Sequence, residues 1–173
     1  MESLGKSLHA NGDKVQGHTG MIVWGGVGTN GQHAFHQWLF QGTSSLFVDF
    51  ITVKTPAHTE LLHRHRVLLA NAIAQSEALM VGRPTEKTAH VHQTISGNTP
   101  SSFLVLDSLT PYSLGMLMAL YEHKVYVQSV LWQIDAFDQW GVELGKHLVA
   151  AILDHHQPHD ASTEQLIFKL LNF

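Results

Sequence analysis

A chain of 173 residues, 44% hydrophobic and only 14% charged, has the size of one globular domain and enough length to bury a sizeable core. It contains no cysteine, which excludes disulfides, thiolate zinc sites and cysteine nucleophiles and fits a reducing compartment. A formal charge of −4 and a pI near 6.4 argue against a polyanion-binding surface spread over the whole protein, so nucleic acid is not an expected partner.

The start of the chain, Met1-Glu2-Ser3-Leu4-Gly5-Lys6, carries an acidic residue and no apolar run, and is read as neither a signal peptide nor a transit peptide. Residues 3–19, rich in Gly, Ser, His and Asn, predict a loop or hairpin. The short apolar run Met21-Ile22-Val23-Trp24 before Gly25-Gly26 predicts a buried strand entering a glycine turn. From Gly31 to Phe40 the spacing is helical, stopping before Gly42, and Leu46–Val53 is a second strand rich in β-branched and aromatic residues.

A long helix is expected after Pro56, from about His58 to Met80, with Leu61, Leu62, Leu68, Leu69, Ile73, Ala74 and Ala78 inward; Gly82 ends it and Pro84 closes it. Val91–Ile95 is a candidate short strand, Gly97–Pro100 a loop, and Phe103–Leu106 the third strand. Thr110-Pro111 predicts a helix opening, Thr110 as cap and Pro111 in the first turn, with the helix running to about Ile134. Asp138 is expected to cap the next helix, and a last amphipathic helix covers about Ser162–Leu171. The longest apolar stretch, Leu114–Leu131, is broken by Glu122, His123 and Lys124, so no membrane span is expected and a soluble cytoplasmic protein is the default. Strands alternating with long helices predict an α/β layered domain with a mainly parallel sheet, in a single domain without internal repeats.

Three features carry candidate chemistry. Gly26-Val27-Gly28-Thr29-Asn30-Gly31 matches the dinucleotide pattern GxGxxG between a predicted strand and a predicted helix, with Asp49 18 residues after the last glycine. There the glycines would admit a pyrophosphate to a helix N-terminus and Asp49 would bind a ribose hydroxyl. A tight turn feeding a helix explains the same residues, Asp49 lies inside its apolar run, and little chain is left for a substrate domain. Histidine is abundant, and His63-Arg64-His65 and His155-His156-Gln157-Pro158-His159 invite a metal site; with no HExxH and no surrounding carboxylate set they read as surface or loop histidines. Finally, Gln139, Glu143 and Lys146 share one face of an otherwise apolar helix at i, i+4 and i+7, opposite a stripe of Trp140, Leu144, Leu148 and Ile152. Spacing alone gives a solvated face with a Glu143–Lys146 ion pair.

The wording of that helix adds more. Phe137-Asp138-Gln139-Trp140-Gly141-Val142-Glu143-Leu144-Gly145-Lys146 closely resembles the C-terminal signature of the phosphoglucose isomerase family, whose members interconvert glucose 6-phosphate and fructose 6-phosphate. The resemblance extends through Val23-Trp24-Gly25 with Gly28–Phe35, Leu68–Asn71 with Gln75–Leu79, Gly97–Ser101, Leu109–Pro111, Ala119–Lys124 and His159–Thr163, nearly the whole length. Met1–Lys6 is similar to the family's Met-Glu-Ser-Asn-Gly-Lys. The chain departs from the pattern at Leu4, where an asparagine is usual, at Gly26-Val27 in place of Glu-Pro, and at Thr99 in place of an arginine; the polar segment before Thr99 is also shorter.

The resemblance implies a layered sugar-isomerase-type (SIS) domain, truncated, with additional C-terminal helices. It implies that Glu2 is the base moving a proton between C1 and C2, that His33 and Lys146 serve ring opening, and that Gln139 binds the sugar or its phosphate. A carboxylate shielded from water suits carbon-proton transfer, and histidine is a residue type suited to acid–base work. No cofactor and no metal are implied. The partners implied are a sugar phosphate and a second copy of the chain, because the family's histidine crosses a homodimer interface. Intact members are longer, and the phosphate-binding Ser/Thr/Lys loop and the arginine facing the enediolate lie in their N-terminal part, so electrostatic stabilisation of the intermediate is expected to be weakened here. Two functions follow: an isomerase impaired as a fragment, or a non-catalytic remnant or interaction module that keeps part of the fold.

Overall fold

The structure, a computed structural model, describes residues 1–83, 90–154 and 158–171. It divides into two compact units, one formed by residues 23–122 and the other by residues 1–22 with 123–173.

The 23–122 unit is built on a β–α–β arrangement. Strand β1 (Val48–Thr55) pairs in parallel with β2 (Ser101–Ser108), Val48 opposite Ser101 and Thr55 opposite Ser108. Parallel neighbours need a crossover, supplied here by helix α3 (Leu62–Val81) after a 3₁₀ turn at Thr59–Leu61. Phe50 and Phe103, opposite one another in the register, stack at 5.1 Å. On that side α3 and the sheet enclose an open cleft of about 440 Å³ lined by Leu69, Ile73, Met80, Phe103 and Val105. On the other side Tyr121 of helix α4 (Pro111–Trp132) donates to the Asp49 carboxylate at 3.0 Å, and Ser102 donates to the same group. The opening of α4 is as the sequence predicts: the Ser113 amide donates to Thr110 Oγ1 at 3.1 Å, and Pro111 occupies the first turn.

Burial of Tyr121, followed by its hydrogen bond to Asp49 and the charge of that carboxylate, pushes the phenol up to about 12. A folded-state pKa above the unfolded one stabilises the fold fully below about pH 10 and loses that effect as pH rises through about 12. Phenolate absorbance is therefore expected to show a late component near pH 12 that is absent from Tyr121→Phe; its persistence in that variant would dissociate it from this hydrogen bond.

Several predicted elements differ. Met21–Trp24 is not a strand; with no neighbouring strand among the described residues to complete a ladder, residues 21–30 are exposed. The single helix expected over residues 31–40 is two short ones, α1 (Gly28–Gly31) and α2 (His36–Gln41), because the chain turns at Phe35 to pack that ring edge-on to Trp24 at 4.4 Å. Val91–Gln93 is a 3₁₀ turn, and only Ile95 forms a bridge, to Arg83. In α3 the buried side chain is Leu79, 1% exposed, while Leu61, Leu62, Leu68, Ile73 and Ala74 are exposed rather than inward. Helix periodicity identifies the apolar stripe without identifying what covers it. Pro84, assigned to the end of this helix, lies outside the described residues.

In the other unit, residues 7–15 form the predicted hairpin, with Leu8 bridged to Lys14 and Gly12 at φ 89° in its turn. Helices α5 (Trp140–Asp154) and α6 (Ala161–Leu171) follow the shared helix α4. Asp160 caps α6, accepting from the Ser162 and Thr163 amides at 3.0 and 3.2 Å and from the Thr163 hydroxyl at 2.6 Å. The Thr163 hydroxyl is the largest cause holding the Asp160 carboxyl below the usual range. Among the described residues, Leu4 (3% exposed), Ser129 and Ile134 are this unit's buried side chains, and no helix is long and apolar enough to cross a membrane.

Candidate active site

Glu2 opens a 3₁₀ turn, Glu2–Leu4, that is anchored by Leu4, so the residue replacing the family's asparagine contributes an apolar plug. The Glu2 side chain is exposed, not shielded from water as carbon-proton transfer favours. Gln139 and Lys146 belong to the same unit as Glu2, whereas His33 belongs to the 23–122 unit.

Gln139 immediately precedes α5, and its carbonyl accepts the Val142 and Glu143 amides at 2.9 and 3.0 Å. Lys146, one helical turn and more into α5, donates to Glu143 at 2.9 Å, with both side chains at least half exposed. That is the solvated ion pair the spacing predicts, and such a pair opens at little cost, leaving the ammonium available to an oxygen ligand. Trp140, Leu144 and Leu148 of the apolar stripe are also exposed, while Ile152 is half-buried.

Asp138 does not cap α5 in the expected way. Its carboxylate is paired with Lys6 and accepts from the Trp140 indole at 3.1 Å, while its carbonyl accepts from Lys6 Nζ at 2.7 Å. The hydrogen bond from Lys6 is the largest cause holding this carboxyl below the usual carboxylate range; burial opposes it, and the Lys6 charge and the Trp140 indole add to it. The pairing therefore supports the fold above the ordinary carboxylate pKa and weakens on acidification through the lowered one. Sequence patterning could not show a capture between residues 132 positions apart.

His33 lies exposed on the turn between α1 and α2, with the Gln32 side-chain amide 3.1 Å from its Nε2. The turn is tied down at Gly31, where a Cβ would meet Phe35 Cζ at 2.8 Å, and through His36, whose Nδ1 lies 3.1 Å from Gln75 Oε1 of α3. The dinucleotide reading loses its frame here. No strand precedes the glycines, the helix after them is four residues long, and Asp49 is engaged by Ser102 and Tyr121 on the sheet. Among the described residues no three His, Asp or Glu side chains converge as metal ligands; His155 and His156 lie outside them.

A phosphoglucose isomerase family model matches residues 1–167. The chain belongs to the phosphoglucose isomerase family. It is 48% identical over 196 aligned positions to the glucose-6-phosphate isomerase of Francisella tularensis subsp. tularensis (strain WY96-3418), covering 99% of this chain and 36% of that protein. The enzyme of the same name from Francisella philomiragia subsp. philomiragia is 47% identical, over 98% of this chain and 36% of its own length. The crystal structure of a glucose-6-phosphate isomerase from Chlamydia trachomatis matches with a TM-score of 0.87 at 40% identity, over 99% of this chain and 34% of that one. The α/β architecture, a parallel strand pair flanked by helices, is thus that of a phosphoglucose isomerase segment, and the chain spans about a third of the length of these relatives.

Proposed function

We propose that this chain corresponds to the C-terminal sugar-isomerase (SIS) region of a glucose-6-phosphate isomerase, as one partial domain, and carries that enzyme's proton-transfer and ring-opening groups. The observation that carries this reading is the extent of the family match: residues 1–167 include Glu2, His33, Gln139 and Lys146. In the reaction, His33 and Lys146 open the pyranose by moving protons at the ring oxygen and the anomeric hydroxyl. Glu2 then takes the proton from C2 of the open-chain aldose and returns it to C1, passing through an enediol(ate) that becomes the ketose. Gln139 hydrogen-bonds the sugar phosphate. Neither a cofactor nor a metal enters these steps. A homodimer in which a second copy supplies His33 goes with the family resemblance. A cytoplasmic place in glycolysis and gluconeogenesis goes with the substrates.

A second reading is a non-catalytic remnant or interaction module. It is favoured by the extent of exposed apolar side chains, with Leu4, Leu79 and Ile134 the buried large ones among the described residues. A coupled assay of fructose 6-phosphate to glucose 6-phosphate, on protein from a host lacking its own isomerase, separates the two. Turnover is the expected result for the isomerase; complete inactivity at high enzyme concentration supports the remnant.

A further inference from the structure

Lysine is rarely buried unless its ammonium is paired. Lys6 is a case: its side chain is 15% exposed in a chain whose surface carries many large apolar groups, and Nζ grips Asp138 twice, at the carboxylate and at the backbone carbonyl. The carbonyl contact matters because of where it falls. Phe137, on one side, holds φ at 67°, a left-handed conformation disfavoured for a side chain of that size. Gln139, on the other, starts α5 through its own carbonyl. Lys6 therefore pins the corner from which Gln139 projects and the helix of Lys146 begins.

At its other end Lys6 adjoins the Glu2–Leu4 turn. The Lys6 amide donates to the Leu4 carbonyl at 3.0 Å, Leu4 is buried, and the Thr19 hydroxyl donates to the Lys6 carbonyl. Gly20, at φ 71°, lies so close to Gly5 that a Cβ on it would be 2.7 Å from Gly5 Cα. Farther along, the Ala10 amide donates to the Gln133 carbonyl at 2.8 Å and His9 Nδ1 lies 3.0 Å from the Trp132 carbonyl. The turn bearing Glu2 is thus fastened on both sides of Lys6.

Resting on the isomerase reading above, we propose that Lys6 and Asp138 are positioning residues for the reaction. Their pairing sets the carboxylate of the Glu2–Leu4 turn in register with Gln139 and Lys146, and neither touches substrate. Displacing a catalytic group by about 1 Å costs on the order of 100-fold in rate. Lys6→Met and Asp138→Asn are therefore each expected to lower kcat for fructose 6-phosphate by about 100-fold while KM stays within about threefold, the pattern of a contribution realised in the transition state. Lys6→Arg, which keeps the charge and the donors, restores most of the rate. In the same proteins, hydrogen exchange at the Ala10 amide accelerates in Lys6→Met, while amides of the 23–122 unit keep their rates.

Unchanged kcat in Lys6→Met, or a loss that falls equally on folding throughout the molecule, overturns the proposal. If the parent chain shows no turnover, it is the isomerase reading that fails. The exchange comparison then still decides whether Lys6 fastens the turn: unaltered Ala10 protection in Lys6→Met refutes it.

Discussion

Glu2→Gln is expected to lower turnover of fructose 6-phosphate by about 10²- to 10⁴-fold, the range that a positioned general base contributes. The substitution preserves length and a hydrogen-bonding terminus and removes only the capacity to accept a carbon-bound proton. Its structural cost is small, because the Glu2 side chain is exposed and the turn is anchored by Leu4 and Gly5 rather than by the carboxylate. An effect on kcat with unchanged thermal unfolding therefore reports chemistry. Deuterium incorporation at C1 and C2 from heavy water, read by NMR, follows the proton directly and should vanish with the turnover. If Glu2→Gln and the parent chain turn over equally, the base lies elsewhere and the assignment of Glu2 is wrong.

The backbone was legible where a local signal and its tertiary partner coincide. β-Branched and aromatic runs mark β1 and β2, Thr110-Pro111 marks the start of α4, and amphipathic spacing marks α6, because each of these is decided within a few residues. Met21–Trp24 carries an equally apolar run but finds no adjacent strand among the described residues, so it stays exposed. Asp138 has the right residue type for a cap but lies one residue before the start that Gln139 makes, and Lys6 holds its carboxylate with a full charge. Asp49 follows the glycine pattern at the spacing of a ribose ligand, but Ser102 and Tyr121 engage its carboxylate. The candidate site residues Glu2, His33, Gln139 and Lys146 rest on motif resemblance, and no periodicity could have singled out an exposed glutamate near the start of the chain. The grip of Lys6 on Asp138 depends on a contact between distant segments and leaves no local pattern.

Gly82→Ala is expected to destabilise the 23–122 unit by about 3 kcal/mol or more, the upper end of the cost of a strained backbone with a clash added. Gly82 has φ 70° and ψ −163°, a region essentially closed to residues with a Cβ. An added methyl group would also strike the Ile95 carbonyl oxygen and come within 2.8 Å of Ser96 C, all backbone atoms that cannot rotate away. Gly97 faces it across the same crossing at φ 68°, where a Cβ would lie 2.6 Å from Val81 C. The crossing holds the end of α3: Asn98 and Thr99 amides donate to the Met80 and Leu79 carbonyls at 2.8 and 3.0 Å, and Arg83 and Ile95 exchange backbone hydrogen bonds. Forcing it open also exposes Leu79, the most buried side chain of the unit. For a unit of this size, 3 kcal/mol corresponds to a fall in Tm of about 12–24 °C. Gly115→Ala is the matching control, since Gly115 sits within α4 with open space around its Cβ position, and the change should stabilise by about 0.5–1 kcal/mol through helix propensity and unfolded-state entropy. Urea unfolding of the two variants should move the midpoint in opposite directions. Equal midpoints would mean that the Gly82–Gly97 crossing is not under the constraint its geometry describes.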